Sequence, residues 1–319
     1  MNKNIAVTIG DIKGVGIKIL IKLWKLNRIN NFILITNLKL FNKFLKKNNI
    51  KIIPKIYKPE YGKTNKKFFY VYDYYAKNYD ENTYLSLKKG YDLCRKNYCK
   101  GIITLPLNKN IIKTNFNKKF IGQTEFFQKI ENKKLSNMIF YSEDLIVLTL
   151  TTHIPIQRIN YYIRKKDYIF EKIKLFNQTL TIDYNIKKPK IAISGINPHA
   201  GENGTIGKEE QKYILPIIKK LKKNNINING PFSADTLFNE ENRKKYNIFI
   251  CFYHDQALIP FKLIKKFKGI NYTGSLNIIR ISPAHGTGYN LKNNKIVLTS
   301  LFECFKKINY FIKNRSQID

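Results

Sequence analysis

Residues 5–26 read IAVTIGDIKGVGIKILIKLWKL: an unbroken apolar run at Ile5–Ile9, glycines at 10, 14 and 16, then apolar positions at helical spacing from Ile17 to Leu26. An apolar run without polar alternation is a strand covered on both faces. Strand, tight turn and helix then recur, with Phe32–Thr36 as strand and Leu38–Lys47 as helix. Further strands are expected at Lys51–Tyr57, Gly101–Leu105, Met138–Ser142, Leu145–Leu150, Lys190–Ser194, Ile248–Tyr253 and Asn277–Ile281. Helical periodicity covers Tyr161–Leu180, Lys208–Asn224 and Leu298–Lys313. Strands alternating with helices specify α/β architecture. The glycine spacing, G-x-x-x-G-x-G, is neither the dinucleotide fingerprint nor a P-loop, so by itself it reads as a strand-to-helix turn.

The chain has 319 residues, room for two domains at about 150 residues each. Hydrophobic residues make up 43% and charged residues 25%, which excludes a disordered, collagenous or coiled-coil protein. No stretch approaches the roughly 18–20 apolar residues of a membrane span, and Gly10-Asp11 cuts the first apolar run too short for a signal peptide. The net charge of +36 points on its face to a nucleic acid or an anionic membrane. Its make-up argues otherwise. Seven of the 58 basic residues are Arg and the other 51 are Lys, scattered along the chain with abundant Asn, Ile, Tyr and Phe. These are AT-rich codon families, and phosphate recognition favours Arg. We therefore expect no nucleic-acid partner and no membrane, and an anionic small substrate fits the charge. The four cysteines, at 94, 99, 251 and 304, form no Cys-x-x-Cys unit. A reduced, cytoplasmic protein with Cys251 as a buried thiol is expected.

The chain has four histidines, each just beyond an expected strand: His153, His199, His254 and His285. Active clefts of α/β folds lie at strand C-terminal ends, so at least three of the four are expected to share a site. Three imidazoles make a divalent-metal site for Lewis-acid chemistry, with Zn, Co, Mn or Mg as candidates. Asp235 and Asp255 could add ligands or orient the rings, and Asp255 also suits a helix N-cap.

Six blocks then occur in order: GQTE (Gly122–Glu125), TTHIP (Thr151–Pro155), SGINPHAGE (Ser194–Glu202), GPFSADTLF (Gly230–Phe238), YHDQ (Tyr253–Gln256) and HGT (His285–Thr287). Together they resemble the 4-hydroxythreonine-4-phosphate dehydrogenase family of pyridoxal phosphate biosynthesis, from Gly10 to about Asn290. The resemblance implies oxidation of a secondary alcohol by NAD or NADP, then loss of CO₂, giving an amino-ketone phosphate. It implies two α/β/α domains with a cleft, like the isocitrate and isopropylmalate dehydrogenases, in a homodimer that shares its sites. Residues 1–121 with 288–319 would form the first domain and 122–287 the second. It assigns His153, His199 and His254 to one divalent metal, drawn from both subunits. It assigns Gln123, Thr124, Lys262, Asn271 and Arg280 to a small phosphorylated amino-acid substrate. The loop His285-Gly286-Thr287 would embrace the adenosine part of the cofactor. Lys262 is the expected general base, desolvated between positive neighbours; a metal-bound water is its rival.

The chain departs from the family at several positions. Gln123 replaces a His and cannot carry charge, which is expected to alter phosphate affinity or its pH dependence. Ile12 and Lys18 replace Pro and Glu, Ala284 replaces an Asp, and the usual Ala-Gly is missing from Asn290 onward. Three rival readings remain. One is a same-fold dehydrogenase acting on a phosphorylated sugar acid such as 4-phosphothreonate, or on an aromatic dihydrodiol carboxylate. The others are a nucleic-acid-binding protein with a steep salt dependence and a metal-dependent hydrolase needing no NAD.

Overall fold

In the computed structural model residues 4–62, 64–289 and 297–317 are described. The elements in chain order are β1 (Ile5–Thr8), α1 (Gly16–Lys25), β2 (Phe32–Ile35), α2 (Leu38–Lys47), β3 (Pro54–Ile56), β4 (Phe69–Tyr72), α3 (Tyr79–Arg95), β5 (Gly101–Thr104), α4 (Lys109–Asn115), α5 (Gln123–Ile130), β6 (Asn137–Ser142) and β7 (Leu145–Thr149). There follow α6 (Ile159–Arg164), α7 (Lys166–Ile182), β8 (Ile191–Ser194), α8 (Leu215–Lys223), β9 (Ile228–Phe232), α9 (Glu240–Lys245), β10 (Ile248–Cys251), α10 (His254–Lys265), β11 (Ile270–Gly274), β12 (Arg280–Pro283) and α11 (Thr299–Arg315). The chain is thus mixed α/β. Among the described residues no helix is long and apolar enough to cross a membrane.

Two compact units emerge, Met1–Phe126 with Asn277–Ile312, and Phe127–Leu276 with Lys313–Asp319. The partition expected from sequence put Gln123, Thr124, Arg280 and His285–Thr287 in the second unit; they lie in the first. The departure noted from Asn290 onward falls outside the described residues.

In the first unit the strand order is β3-β4-β2-β1-β5-β12, and every pairing is parallel. Parallel strands are covered on both faces, and Val7, Ile33, Leu34, Ile102 and Ile103 are all 0% exposed. Gly10 leaves β1 with φ of 63°. A Cβ there would stand 2.7 Å from Leu105 Cβ and 2.7 Å from the Pro106 carbonyl oxygen. The turn therefore needs glycine on both conformational and steric grounds.

In the second unit the order is β11-β6-β7-β10-β8-β9. β11, β6 and β7 pair antiparallel, and the two-residue turn Glu143-Asp144 joins the last two. From β7 through β10 and β8 to β9 the pairing is parallel. Val147, Phe249, Ile250, Phe176 and Leu221 form the core around these strands, each 0% exposed.

Five of the described helices end the same way. Leu26, Asn48, Lys96, Glu131 and Asn224 follow α1, α2, α3, α5 and α8, and the next residue is always an Asn with φ of 52–60°. The residue after that Asn returns a backbone bond into the last turn, as Arg28 N to Leu23 O at 3.0 Å and Ile226 N to Leu221 O at 3.1 Å. This is the Schellman ending, with Asn where glycine is usual.

Candidate active site

β7, β10 and β8 lie side by side and parallel, so their C-terminal ends share one edge. His153, His254 and His199 follow these three strands. The structure brings two of them together: the His153 and His254 rings are 5.9 Å apart, centre to centre, and inclined by 41°. They line a pocket of about 220 Å³ with Thr151, Thr152, Ile154, Tyr253 and Asp255. His254 Nδ1 lies 2.7 Å from Asp255 Oδ1. A carboxylate accepts, so this contact uses Nδ1 as the donor, and in the neutral imidazole that leaves the lone pair on Nε2. Carboxylates orient metal-binding histidines in this way. Asp255 is not the helix N-cap: that position is Tyr253, and Asp255 lies in the first turn of α10.

His199 begins a left-handed turn. His199, Ala200, Gly201, Glu202 and Asn203 have φ between 41° and 82°. For a non-glycine residue this region costs roughly 1–2 kcal/mol, so the surroundings must hold the turn. Asp235 lies near His199. Its carboxyl is held below the usual range, first by the Ser233 hydroxyl at 2.6 Å and to a smaller degree by the imidazole.

The donor chemistry suits a divalent transition ion at the His153–His254 pocket. The expected three-histidine set is not assembled within one chain: among the described residues, no three His, Cys, Asp or Glu side chains gather as a metal set.

Asn271 lies on β11, its Oδ1 buried without a hydrogen-bond partner among the described residues. Lys262 is exposed on α10, and its neighbour Lys265 is paired with Asp144. Within one chain Lys262 is thus exposed, where the sequence led us to expect a desolvated side chain.

The first unit holds a buried cation. Arg280, 2% exposed, starts β12. It donates to Thr104 Oγ1 from Nη2 at 2.7 Å and from Nε at 3.0 Å, to Gln123 Oε1 at 2.5 Å and to Thr124 Oγ1 at 3.4 Å. Burial pulls the guanidinium down to about 10, with the Glu125 charge opposing. It remains a cation at neutral pH, and guanidinium matches phosphate geometry. Gln123 is held at both ends, since its Nε2 donates to the Leu105 carbonyl at 3.0 Å. The residue replacing a histidine thus serves Arg280. Thr124 lies in the first turn of α5, where backbone N–H groups favour anions.

His285 is half-buried, and burial lowers its pKa. Its Nε2 lacks a partner among the described residues. Beside it, Thr287 O accepts from Val15 N at 2.9 Å, and a Cβ on Gly286 would meet nothing within 4 Å. An open glycine and an unpaired imidazole nitrogen beside a glycine turn suit a polar cofactor moiety.

Sequence reasoning missed Glu210 and Thr104. Glu210 falls inside the expected helix Lys208–Asn224, and its only signal was an acidic pair, Glu209-Glu210, in a chain with 22 acidic residues. Thr104 was legible only as the end of a strand.

The resemblance carried by the six blocks is borne out by comparison with known proteins. A family model described as pyridoxal phosphate biosynthetic protein PdxA matches residues 28–307. The 4-hydroxythreonine-4-phosphate dehydrogenase of Sulfurihydrogenibium sp. (strain YO3AOP1) is 41% identical over 197 residues, 61% of this chain and 60% of that protein. The enzyme of the same name from Aquifex aeolicus (strain VF5) is 41% identical over 192 residues, 60% of this chain and 58% of that one. The matched stretch thus spans less than two thirds of these relatives. In three dimensions the chain is similar to the crystal structure of 4-hydroxythreonine-4-phosphate dehydrogenase from Klebsiella pneumoniae, with a TM-score of 0.83 at 25% identity, covering 98% of this chain and 99% of that one.

Proposed function

The chain belongs to the family of the pyridoxal phosphate biosynthetic protein PdxA, and from that premise we propose that it oxidises and decarboxylates 4-phosphohydroxy-L-threonine to 3-amino-2-oxopropyl phosphate, using NAD or NADP and a divalent metal. The observation that carries this reading is the His153–His254 pair in its pocket at the strand ends. When bound, the metal supplies Lewis acidity to the alcohol and the nicotinamide accepts the hydride. His153 and His254 would hold the ion, with Asp255 fixing the His254 ring through Nδ1. His199 belongs to the same set, drawn from two copies of the chain. An apolar row on α10 supports such a dimer: Ile259 is 67% and Leu263 78% exposed. They stand one helical turn apart on one face, and an exposed apolar row of this kind marks an interaction site.

Arg280 and Thr124 would hold the phosphate, with Gln123 and Thr104 fixing the guanidinium plane. Asn271 offers its unpaired Oδ1 to a hydroxyl or ammonium group. Lys262, being exposed, is a contact residue in this reading rather than a pre-desolvated base. His285, Gly286 and Thr287 would meet the cofactor. The family fold, two α/β/α domains of the isocitrate dehydrogenase type, is part of the same proposal.

The test is NADH formation from 4-phosphohydroxy-L-threonine, with and without chelator, for wild type and His254→Ala. Metal-dependent NADH from wild type that vanishes in the variant supports the proposal. Folded, metal-replete wild type that makes none refutes this substrate. NADH from 4-phosphothreonate in its place would assign the chain to phosphorylated sugar acids.

A further inference from the structure

The turn that carries His199 is gripped by one buried side chain. Glu210 is 2% exposed. Its Oε1 accepts from the Ile196 and Asn197 amides at 2.8 Å each, and its Oε2 accepts from Asn197 Nδ2 at 2.9 Å. Glu209 Oε2 also accepts from Asn197 Nδ2, at 2.8 Å. A Cβ on Gly201 would lie 2.7 Å from Glu210 Oε2, and one on Gly195 3.3 Å from Oε1. The carboxylate therefore packs against the turn on both sides of His199. Glu210 opens a π-helical turn, Glu210–Ile214, ahead of α8, and such wide turns concentrate at functional sites.

Two features call for a reason. A buried carboxylate carries a desolvation cost that an apolar residue would avoid. The backbone it grips holds four non-glycine residues in the left-handed region, and that conformation persists only where its surroundings over-determine it. One role explains both.

We propose that Glu210 is a positioning residue, anchoring the turn at Ile196 and Asn197 so that His199–Asn203 stay left-handed, and so fixing where the His199 imidazole stands. The inference rests on the reading of His199 as a metal ligand and deepens it. Glu210 has no contact with the ion in this scheme. It acts through the backbone, as a carboxylate behind a histidine ligand acts through the ring.

The test uses the full-length protein with Co²⁺ alone as the probe. Binding is followed by visible absorption, and amide hydrogen exchange of residues 196–203 is measured on the metal-free protein. Glu210→Ala is expected to weaken Co²⁺ binding by about ten-fold or more and to speed exchange at Ile196 and Asn197. Glu210→Gln keeps a carbonyl oxygen for both amides and is expected to recover most of the loss; it carries the comparison if the alanine variant does not fold. Leu221→Ala, a core truncation on α8, is expected to lower Tm and leave Co²⁺ affinity within about two-fold, since it touches none of these bonds. Wild-type exchange and affinity in Glu210→Ala, with His199→Ala impaired, would overturn the role given to Glu210. Equal weakening in Leu221→Ala and Glu210→Ala would overturn it too, as general destabilisation. Wild-type affinity in His199→Ala would instead refute the ligand reading beneath it.

Discussion

Replacing Arg280 with Met should cost little stability and most of the phosphate affinity. The fall from the ordinary guanidinium value to about 10 converts, at about 1.4 kcal/mol per pH unit, to a net cost of about 3 kcal/mol for keeping the buried guanidinium charged. That cost is present in full below pH 10 and fades as pH rises through it, because the folded chain releases the proton first. Arg280→Met removes it. The variant also leaves Thr104 Oγ1 and Gln123 Oε1 without the donor they now share, at about 1–3 kcal/mol per buried group. The two effects largely offset each other, so unfolding free energy should change by no more than about 3 kcal/mol. The loss to a phosphate ligand has no such offset. Forfeiting charge-assisted bonds should cost about 3 kcal/mol, roughly 100-fold in Kd. Urea unfolding of the ligand-free protein and calorimetric titration with the phosphorylated substrate measure the two quantities. A loss of more than about 4 kcal/mol with unchanged Kd would mean that Arg280 is structural and that the reasoning is wrong.

Burial holds His285 below its usual 6.5, so the unfolded chain takes up a proton that the folded chain resists; stability should fall as pH drops through about 6.5 toward the folded value, and the Tm loss between about pH 7 and pH 5 should shrink in His285→Asn. Gly10→Ala should destabilise by about 2 kcal/mol or more in urea, from the positive φ and the contacts with Leu105 and Pro106; a loss under about 0.5 kcal/mol would show that this turn relaxes. Asp183 accepts from Tyr272 Oη at 2.6 Å and from Arg315 Nε at 2.5 Å, and is 2% exposed. Asp183→Ala strands the guanidinium and should cost about 3–5 kcal/mol, read by the same unfolding assay.

Most strands that are apolar throughout are legible in sequence, as at Ile248–Cys251 and Phe32–Ile35, although β4, FYVY, was missed. Several strands and helices of mixed character were not legible. β11, INYTG, hides its pattern behind buried Thr273 and Gly274. α3 turns Asn82, Thr83 and Ser86 inward ahead of Leu87, Tyr91, Leu93 and Cys94, so the first part of its buried face is polar and interrupts the apolar period. α10 carries Pro260 within its length. The single helix expected over Tyr161–Leu180 is two, α6 and α7, because Lys165 leaves helical geometry with ψ of 76°. Lys208–Asn224 is divided by the π turn at Glu210–Ile214, and the last strand starts three residues later than expected, at Arg280. Of the candidate site, the strand-exit positions of the histidines were legible because residue type and strand ends are local information. The pairing of His153 with His254 rather than with His199 was not, because it depends on β10 lying between β7 and β8. Glu210 was hidden for a related reason: its partners are set by a turn whose handedness no periodicity records.

The asparagine endings of α1, α2, α3, α5 and α8 bear on how this chain tolerates a composition rich in asparagine. A left-handed residue at a helix end is ordinarily encoded by GC-rich glycine codons. Asparagine reaches the same conformation at a modest steric cost, and its narrower freedom in the unfolded chain offsets part of that cost. The exchange is close to neutral, so codon drift can use it wherever a side chain has somewhere to go. Asn27, Asn49, Asn97 and Asn225 are such places. Gly10 and Gly201 are not, since a Cβ at either would lie 2.7 Å from other atoms. Local volume therefore holds glycine in place at Gly10 and Gly201, but not at Gly62 or Gly286, where a Cβ would meet nothing within 4 Å.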